Sequence, residues 1–128
     1  MPARRVVIVL WSCGPDRPGG AVLAAAPFVY ALAARALELE VEMHFTSSAV
    51  RWLVRGVADG AHTDQRRRKT VRDFIAEAQR AGVALYACGM ALAEHRRADE
   101  PLIDGVQMAG AATVIGATVD DGTRTMLF

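Results

Sequence analysis

The chain is 128 residues long, 52% of them apolar, with a formal net charge of +1; that length and composition can bury one sizeable core, so one domain over residues 1–128 is expected. The near balance of charge leaves no electrostatic footprint for nucleic acid or an anionic membrane surface. Two cysteines make no disulfide framework and point to a reducing, cytoplasmic setting, and the single lysine, Lys69, sits in a polar stretch unsuited to Schiff-base chemistry.

Met1-Pro2-Ala3-Arg4-Arg5 followed by apolar residues has the outline of a signal peptide, but the run Val6 to Trp11 is too short for one and is broken by Cys13-Gly14-Pro15-Asp16-Arg17. Val6-Val7-Ile8-Val9-Leu10-Trp11 instead reads as a strand buried on both faces of a parallel sheet, the first and central one. The turn-rich Gly14 to Gly20 opens onto an alanine-rich helix from Ala21 to Leu37, with Phe28, Leu32, Ala36 and Leu39 at helical spacing. Pro27 must either kink that helix or sit in its first turn. Pro27 and Arg35 also argue for a core helix of a soluble protein over a membrane span.

From Glu40 to Thr46 the residues alternate, with Val41, Met43 and Phe45 on one face and Glu42, His44 and Thr46 on the other. That wetter face suggests a sheet edge or a contact with another subunit. Ser47 or Ser48 can cap a helix carrying Val50, Leu53, Val54 and Val57, limited by Gly56 and Gly60. Asp59 to Lys69 has no apolar period and ends in Arg66-Arg67-Arg68-Lys69, which reads as an exposed, mobile connection. Thr70-Val71-Arg72-Asp73 resembles a capping box, and Val71, Phe74, Ile75 and Ala78 form a stripe that stops at Gly82.

Val83 to Cys88 is a second buried strand, followed by a short helix or turn over Met90 to Arg97 and a short strand at Val106 to Ala109. Ala111 to Val119 has strand propensity but helix length, and its residues alone do not decide. Thr125 to Phe128 reads as a last strand. Strands alternating with helices give an α/β fold, a three-layer α/β/α sandwich on a mostly parallel, five-stranded sheet.

In such sheets the loops at the carboxyl ends of the strands form the binding edge. Cys88 lies there, facing a helix start where amide donors, including those of Gly89 and Met90, lower a thiol pKa and make the sulfur nucleophilic. Gly89 lets the backbone turn closely and leaves the sulfur uncovered. Composition and position alone nevertheless favour the blander reading, a small hydrophobe packed at a strand end. Cys13 ends the first strand and is a candidate auxiliary thiol if its strand neighbours that of Cys88; it reads equally well as an inert thiol under the glycine loop.

The loop Gly14 to Gly20 matches neither the P-loop nor the dinucleotide fingerprint and suits a flexible lid better than a phosphate cradle. His44, His62 and His95 have no ligand spacing with a carboxylate or cysteine, so neither a metal nor another cofactor is expected. His44 could face the edge or a subunit contact. Arg66 to Lys69 is a solvated run that could guide an anionic partner such as a sulfur oxyanion. Asp120 and Asp121 read as turn residues.

Taken in order, the sequence resembles the DsrE/DsrF-like family, which includes YchN-like and TusD-like proteins. The resemblance rests on the first strand with its Gly/Pro loop, on Val41-Glu42-Met43-His44-Phe45-Thr46, on Gly82-Val83-Ala84-Leu85-Tyr86-Ala87-Cys88-Gly89, on Gly105-Val106-Gln107-Met108-Ala109-Gly110-Ala111-Ala112, and on Met126-Leu127-Phe128. It implies a single α/β/α domain assembling as a homotrimer or homohexamer, and a helix over Ala111 to Val119. It also implies a sulfur carrier or sulfurtransferase whose Cys88 holds sulfane sulfur as a persulfide, between donor and acceptor proteins with reactive cysteines. Cys13 is not a position the family pattern contains. Two other readings stay open: a non-catalytic homo-oligomer that binds a small ligand or partner, and a two-cysteine redox protein.

Overall fold

The structure, a computed structural model, describes residues 2–128. Its sheet holds five parallel strands, β1 (Arg5–Leu10), β2 (Glu40–Phe45), β3 (Ala84–Cys88), β4 (Gln107–Ala109) and β5 (Thr123–Leu127), in the order β4-β3-β2-β1-β5. The helices α1 (Gly20–Ala36), α2 (Val71–Arg80), α3 (Gly89–His95) and α4 (Ala111–Thr118) connect the strands, with a 3-10 helix at Ser47–Leu53. The α/β expectation therefore holds, and the sheet is wholly parallel.

The two faces of this sheet are unequal. Val6, Ile8 and Leu10 of β1 lie in register with Val41, Met43 and Phe45 of β2, so all six side chains share one face. There they meet Phe28 and Ala31 of α1, Phe74 and Ile75 of α2, and Trp52 and Leu53 of the 3-10 helix in the main core. Phe28 stacks on Phe74 with centroids 5.8 Å apart and tilts against Phe45 at 6.1 Å. Side chains such as Ile8, Phe28 and Leu85 are fully enclosed, each stabilising the fold by about 1.5–3 kcal/mol. The opposite face has a small core: Val7, Val9 and Ala117, with Val114 against them.

Local chemistry explains the helices. Thr70 and Asp73 form a reciprocal capping box at the start of α2, as the sequence suggests. Pro27 falls inside α1, buried among its neighbours. Gly14 is needed by packing, because a Cβ there would collide with Ser48. Two expectations change. The segment after β2 winds as a 3-10 helix whose N-cap position is Thr46, not Ser47 or Ser48, and Ser47 itself adopts φ 51°. β1 lies second from one edge, and the middle strand is β2, the one with the wet face.

That wet face is no edge signal because its charges are neutralised from within. Arg5 of the adjacent strand donates from Nη1 to Glu42 at 3.1 Å, and Glu42 also bonds His44 Nε2 at 3.0 Å. Arg5 further donates to Thr123 on β5.

The chain steps from β1 through β2 and β3 to β4 in one direction, and α1, α2 and α3 contribute to the main core. It then returns from β4 to the far edge strand β5, and right-handed crossing puts α4 on the opposite face. The connections leaving β3 and β4 thus diverge to opposite sides of the sheet. A crevice opens at their carboxyl ends, where ligands bind in folds of this kind. No helix among the described residues is long and apolar enough to cross a membrane.

Candidate functional site

Cys88 ends β3 and occupies the N-cap position of α3, with extended backbone at φ −69° and ψ 122°. It is half-buried, a free thiol at the β3/β4 crevice, in register with Ala109 of β4. The thiol makes no capping hydrogen bond of full geometry to the helix, although it faces its first amides. Burial pushes its pKa up, but the amides of Ala91 and Met90 and the hydroxyl of Thr46 favour the thiolate and together hold it below the ordinary thiol value. The groups that favour the thiolate are thus the amides of Met90 and Ala91 and the hydroxyl of Thr46.

Gly89 follows directly, at the first position of α3. Its φ is not in the left-handed region, and a Cβ there would sit 3.5 Å from Met108 Cε, an ordinary contact. Met90 and Met108, 85% and 58% exposed, provide a flexible apolar apron near Cys88.

Thr46 follows Phe45, whose register partner is Ala87, so it stands one rung further on, opposite Cys88. His44 is two residues back on the same face. Its ring is 4% exposed and stacks on Tyr86 with centroids 4.7 Å apart and planes 9° apart. Glu42 accepts from Nε2, so that nitrogen carries a proton. Cys88, Thr46 and His44 all line one cavity of about 170 Å³ between the strand ends and α4. Its other walls are apolar or backbone, among them Val9, Ala109, Val114 and Ile115.

The helix carrying Cys88 is braced from behind. Arg51 of the 3-10 helix donates to the carbonyl of His95 at 2.8 Å, and forms two bonds to Glu100 at 3.0 and 3.2 Å. The Arg51 guanidinium and the Arg97 amide hold the Glu100 carboxyl down to about 2.

Cys13 lies elsewhere, 2% exposed in the main core, with its carbonyl accepting from Trp52 Nε1 at 2.7 Å. Burial pushes its thiol up to about 11, despite opposing contributions from a backbone hydrogen bond and Arg17. β1 ends at Leu10, three residues before Cys13, and β2 intervenes between it and β3, whose last residue is Cys88, so the two strands lie roughly two spacings of 4.8 Å apart. The loop Gly14 to Gly20 folds on itself through Arg17-to-Gly14 and Gly20-to-Arg17 backbone bonds and is not part of the cavity wall. Arg68 and Lys69 are ion-paired with Asp64 and Glu77, and Lys69 lies over the Phe74 ring. His62 and His95 do not line the cavity.

Comparison with known proteins agrees with this architecture. The model of the DsrE/DsrF-like family matches residues 15–128. No curated protein matches the sequence. Among solved structures, the YchN protein of E. coli is similar over 100% of both chains at 18% identity, with a TM-score of 0.74. A protein of unknown function from Methanobacterium thermoautotrophicum matches 97% of this chain and 98% of its own at 21% identity, with a TM-score of 0.64. One from Bacteroides thetaiotaomicron matches 96% of this chain and 94% of its own at 12% identity, with a TM-score of 0.54. At these identities the likeness is one of fold.

Proposed function

Because this chain belongs to the DsrE/DsrF-like family, a family linked to sulfur relay, we propose that it is a sulfur carrier that holds sulfane sulfur as a persulfide on Cys88 and passes it to a partner protein's thiol. The observation that carries this reading is the placement of Cys88, a half-buried free thiol at the N-cap position of α3, beside Thr46 in the wall of an apolar cavity. The thiolate is the nucleophile that accepts sulfur, and the donors around it stabilise the persulfide anion while the cavity shields it. The apron of Met90 and Met108 gives an acceptor protein an adaptable surface beside the sulfur.

The proposal extends to a cytoplasmic, single-domain protein of residues 1–128 that assembles as a homotrimer or homohexamer. Exposed Trp11, Tyr30, Val119 and Leu127 support a self-associating surface. The cavity itself also favours a second reading, a small-ligand-binding protein in which Cys88 is merely a wall. The burial of Cys13 weighs against the two-cysteine redox reading.

Mass spectrometry after incubation with inorganic polysulfide tests the carrier reading. The chain is expected to gain sulfur at Cys88, and a Cys88→Ser variant to gain none. Equal gain by that variant, or no gain by the unmodified chain, overturns it.

A further inference from the structure

The cavity against Cys88 has no positively charged wall. Its polar side chains besides Cys88 are Thr46 and His44, and no lysine or arginine lines it. Arg5, the cation closest in the bonding scheme, is occupied by Glu42 at 3.1 Å and Thr123 at 3.0 Å, and Glu42 in turn is shared with His44. An oxyanion entering this space would lose its hydration with no countercharge to replace it. An alkyl group would find Val9, Val114 and Ile115, and the volume suits a benzene-sized group, which occupies about 150 Å³ in an apolar cavity.

His44 supplies the second, independent observation. Its ring is nine-tenths buried or more, fixed on Tyr86 by stacking, and bonded through Nε2 to Glu42. Nδ1 has no hydrogen-bond partner among the described residues, which leaves it as the ring nitrogen available to an occupant of the cavity it lines. The arrangement is a carboxylate-oriented imidazole sharing a cavity with a cysteine thiol.

Building on the carrier reading above, we propose that the cavity selects a neutral, small organic hydropersulfide, R–S–SH, as the sulfur donor, and that His44 moves the proton. The Cys88 thiolate attacks the outer sulfur. A Cys88–S bond forms with the thiolate's electron pair, the S–S bond of the donor breaks, and its pair leaves on RS⁻. His44 Nδ1 takes the proton of the new Cys88–S–SH and returns it to RS⁻, so the products are Cys88–S–S⁻, RSH and neutral His44. No oxidant or reductant is consumed. The Glu42 carboxylate acts through His44 as a positioning residue, holding its tautomer.

The test compares sulfur loading of the full chain by ethyl hydropersulfide generated in situ, by thiosulfate and by inorganic polysulfide, followed by mass spectrometry. Ethyl hydropersulfide is expected to load Cys88 at least about tenfold faster than thiosulfate, and His44→Gln to slow the ethyl hydropersulfide reaction by about a hundredfold, the lower end of a general acid–base contribution. Near-ultraviolet circular dichroism checks that the variant is folded; where it is not, the donor ranking in the unmodified chain decides. Thiosulfate loading as fast as ethyl hydropersulfide overturns the donor assignment and leaves the carrier reading standing. A folded His44→Gln chain with unchanged rate overturns the proton role. Absence of loading from all three donors overturns the carrier reading with it.

Discussion

Thr46 stands opposite Cys88, one rung beyond Phe45 and Ala87, the last paired residues of β2 and β3, and its hydroxyl favours the Cys88 thiolate. A Thr46→Val substitution keeps the shape and removes the donor. Alkylation of Cys88 by iodoacetamide at neutral pH should slow by roughly two- to tenfold, the worth of one modest hydrogen bond, and its pH profile should move upward. An unchanged profile would mean that the amides of Met90 and Ala91 suffice by themselves.

The two thiols should separate cleanly in reactivity. Cys88 should be alkylated in the folded chain and Cys13 only after denaturation, because Cys13 is buried and its thiol is raised to about 11. The same shift carries a stability signature. The folded state retains the Cys13 proton more tightly than the unfolded state, so stability is complete below the unfolded value of 9.0 and declines as pH rises through about 11. The loss attributable to Cys13 is of the order of 2 kcal/mol. Thermal melts from pH 8 to 11 should therefore be shallower in their pH dependence for Cys13→Ala than for the unmodified chain, whatever the cost of the cavity it creates.

At the acid end Glu100 is a sensitive group, along with Asp64 and Asp73. Its folded pKa is depressed by Arg51 and the Arg97 amide, so its contribution is present above the ordinary carboxylate value of 4.5 and is lost as pH falls toward about 2. Arg51 also holds the carbonyl of His95 at the end of α3. Glu100→Gln should flatten the acid limb of the melting curve between those values. It should also make Cys88 alkylation less favourable by loosening the helix that supplies the amides; a Cys88 profile identical to that of the unmodified chain would uncouple the brace from the thiol.

Gly89→Ala separates two explanations of the glycine. The backbone there needs no left-handed conformation, and the added Cβ makes only ordinary contact with Met108. The variant should fold, gain up to about 0.4–1 kcal/mol from the less flexible unfolded chain, and load sulfur as before. A large loss of loading would show that the position must stay bare for an incoming sulfur donor.

Much of this architecture is legible in local patterns. The β-branched run of β1, the Thr70 and Asp73 box and the strand ending in Cys88 each follow from short-range chemistry, and all three hold. What escapes is set by strand order, which no short stretch encodes. Glu42, His44 and Thr46 alternate as on an exposed strand, yet β2 is the middle of the sheet, and their polarity is satisfied there by Arg5 on Glu42, Glu42 on His44 and Cys88 beside Thr46. Thr46 could have been found by extending the alternation of β2 to the same strand-end level as Cys88. His44 needed the further fact that α4 crosses to that face. The α4 residues themselves mislead, because Thr113, Val114 and Ile115 have strand propensity while the crossover requires a helix.

The lopsided layering divides labour between the faces. The side with Phe28, Trp52 and Ile75 carries the larger apolar core, whereas α4 rests on a few small side chains and also walls the cavity. Substitutions at Val114 or Ile115 can therefore remodel what fits beside Cys88 while the larger core stays intact. A fold arranged in this way can change the shape of its crevice by drift in α4, without renegotiating how it folds.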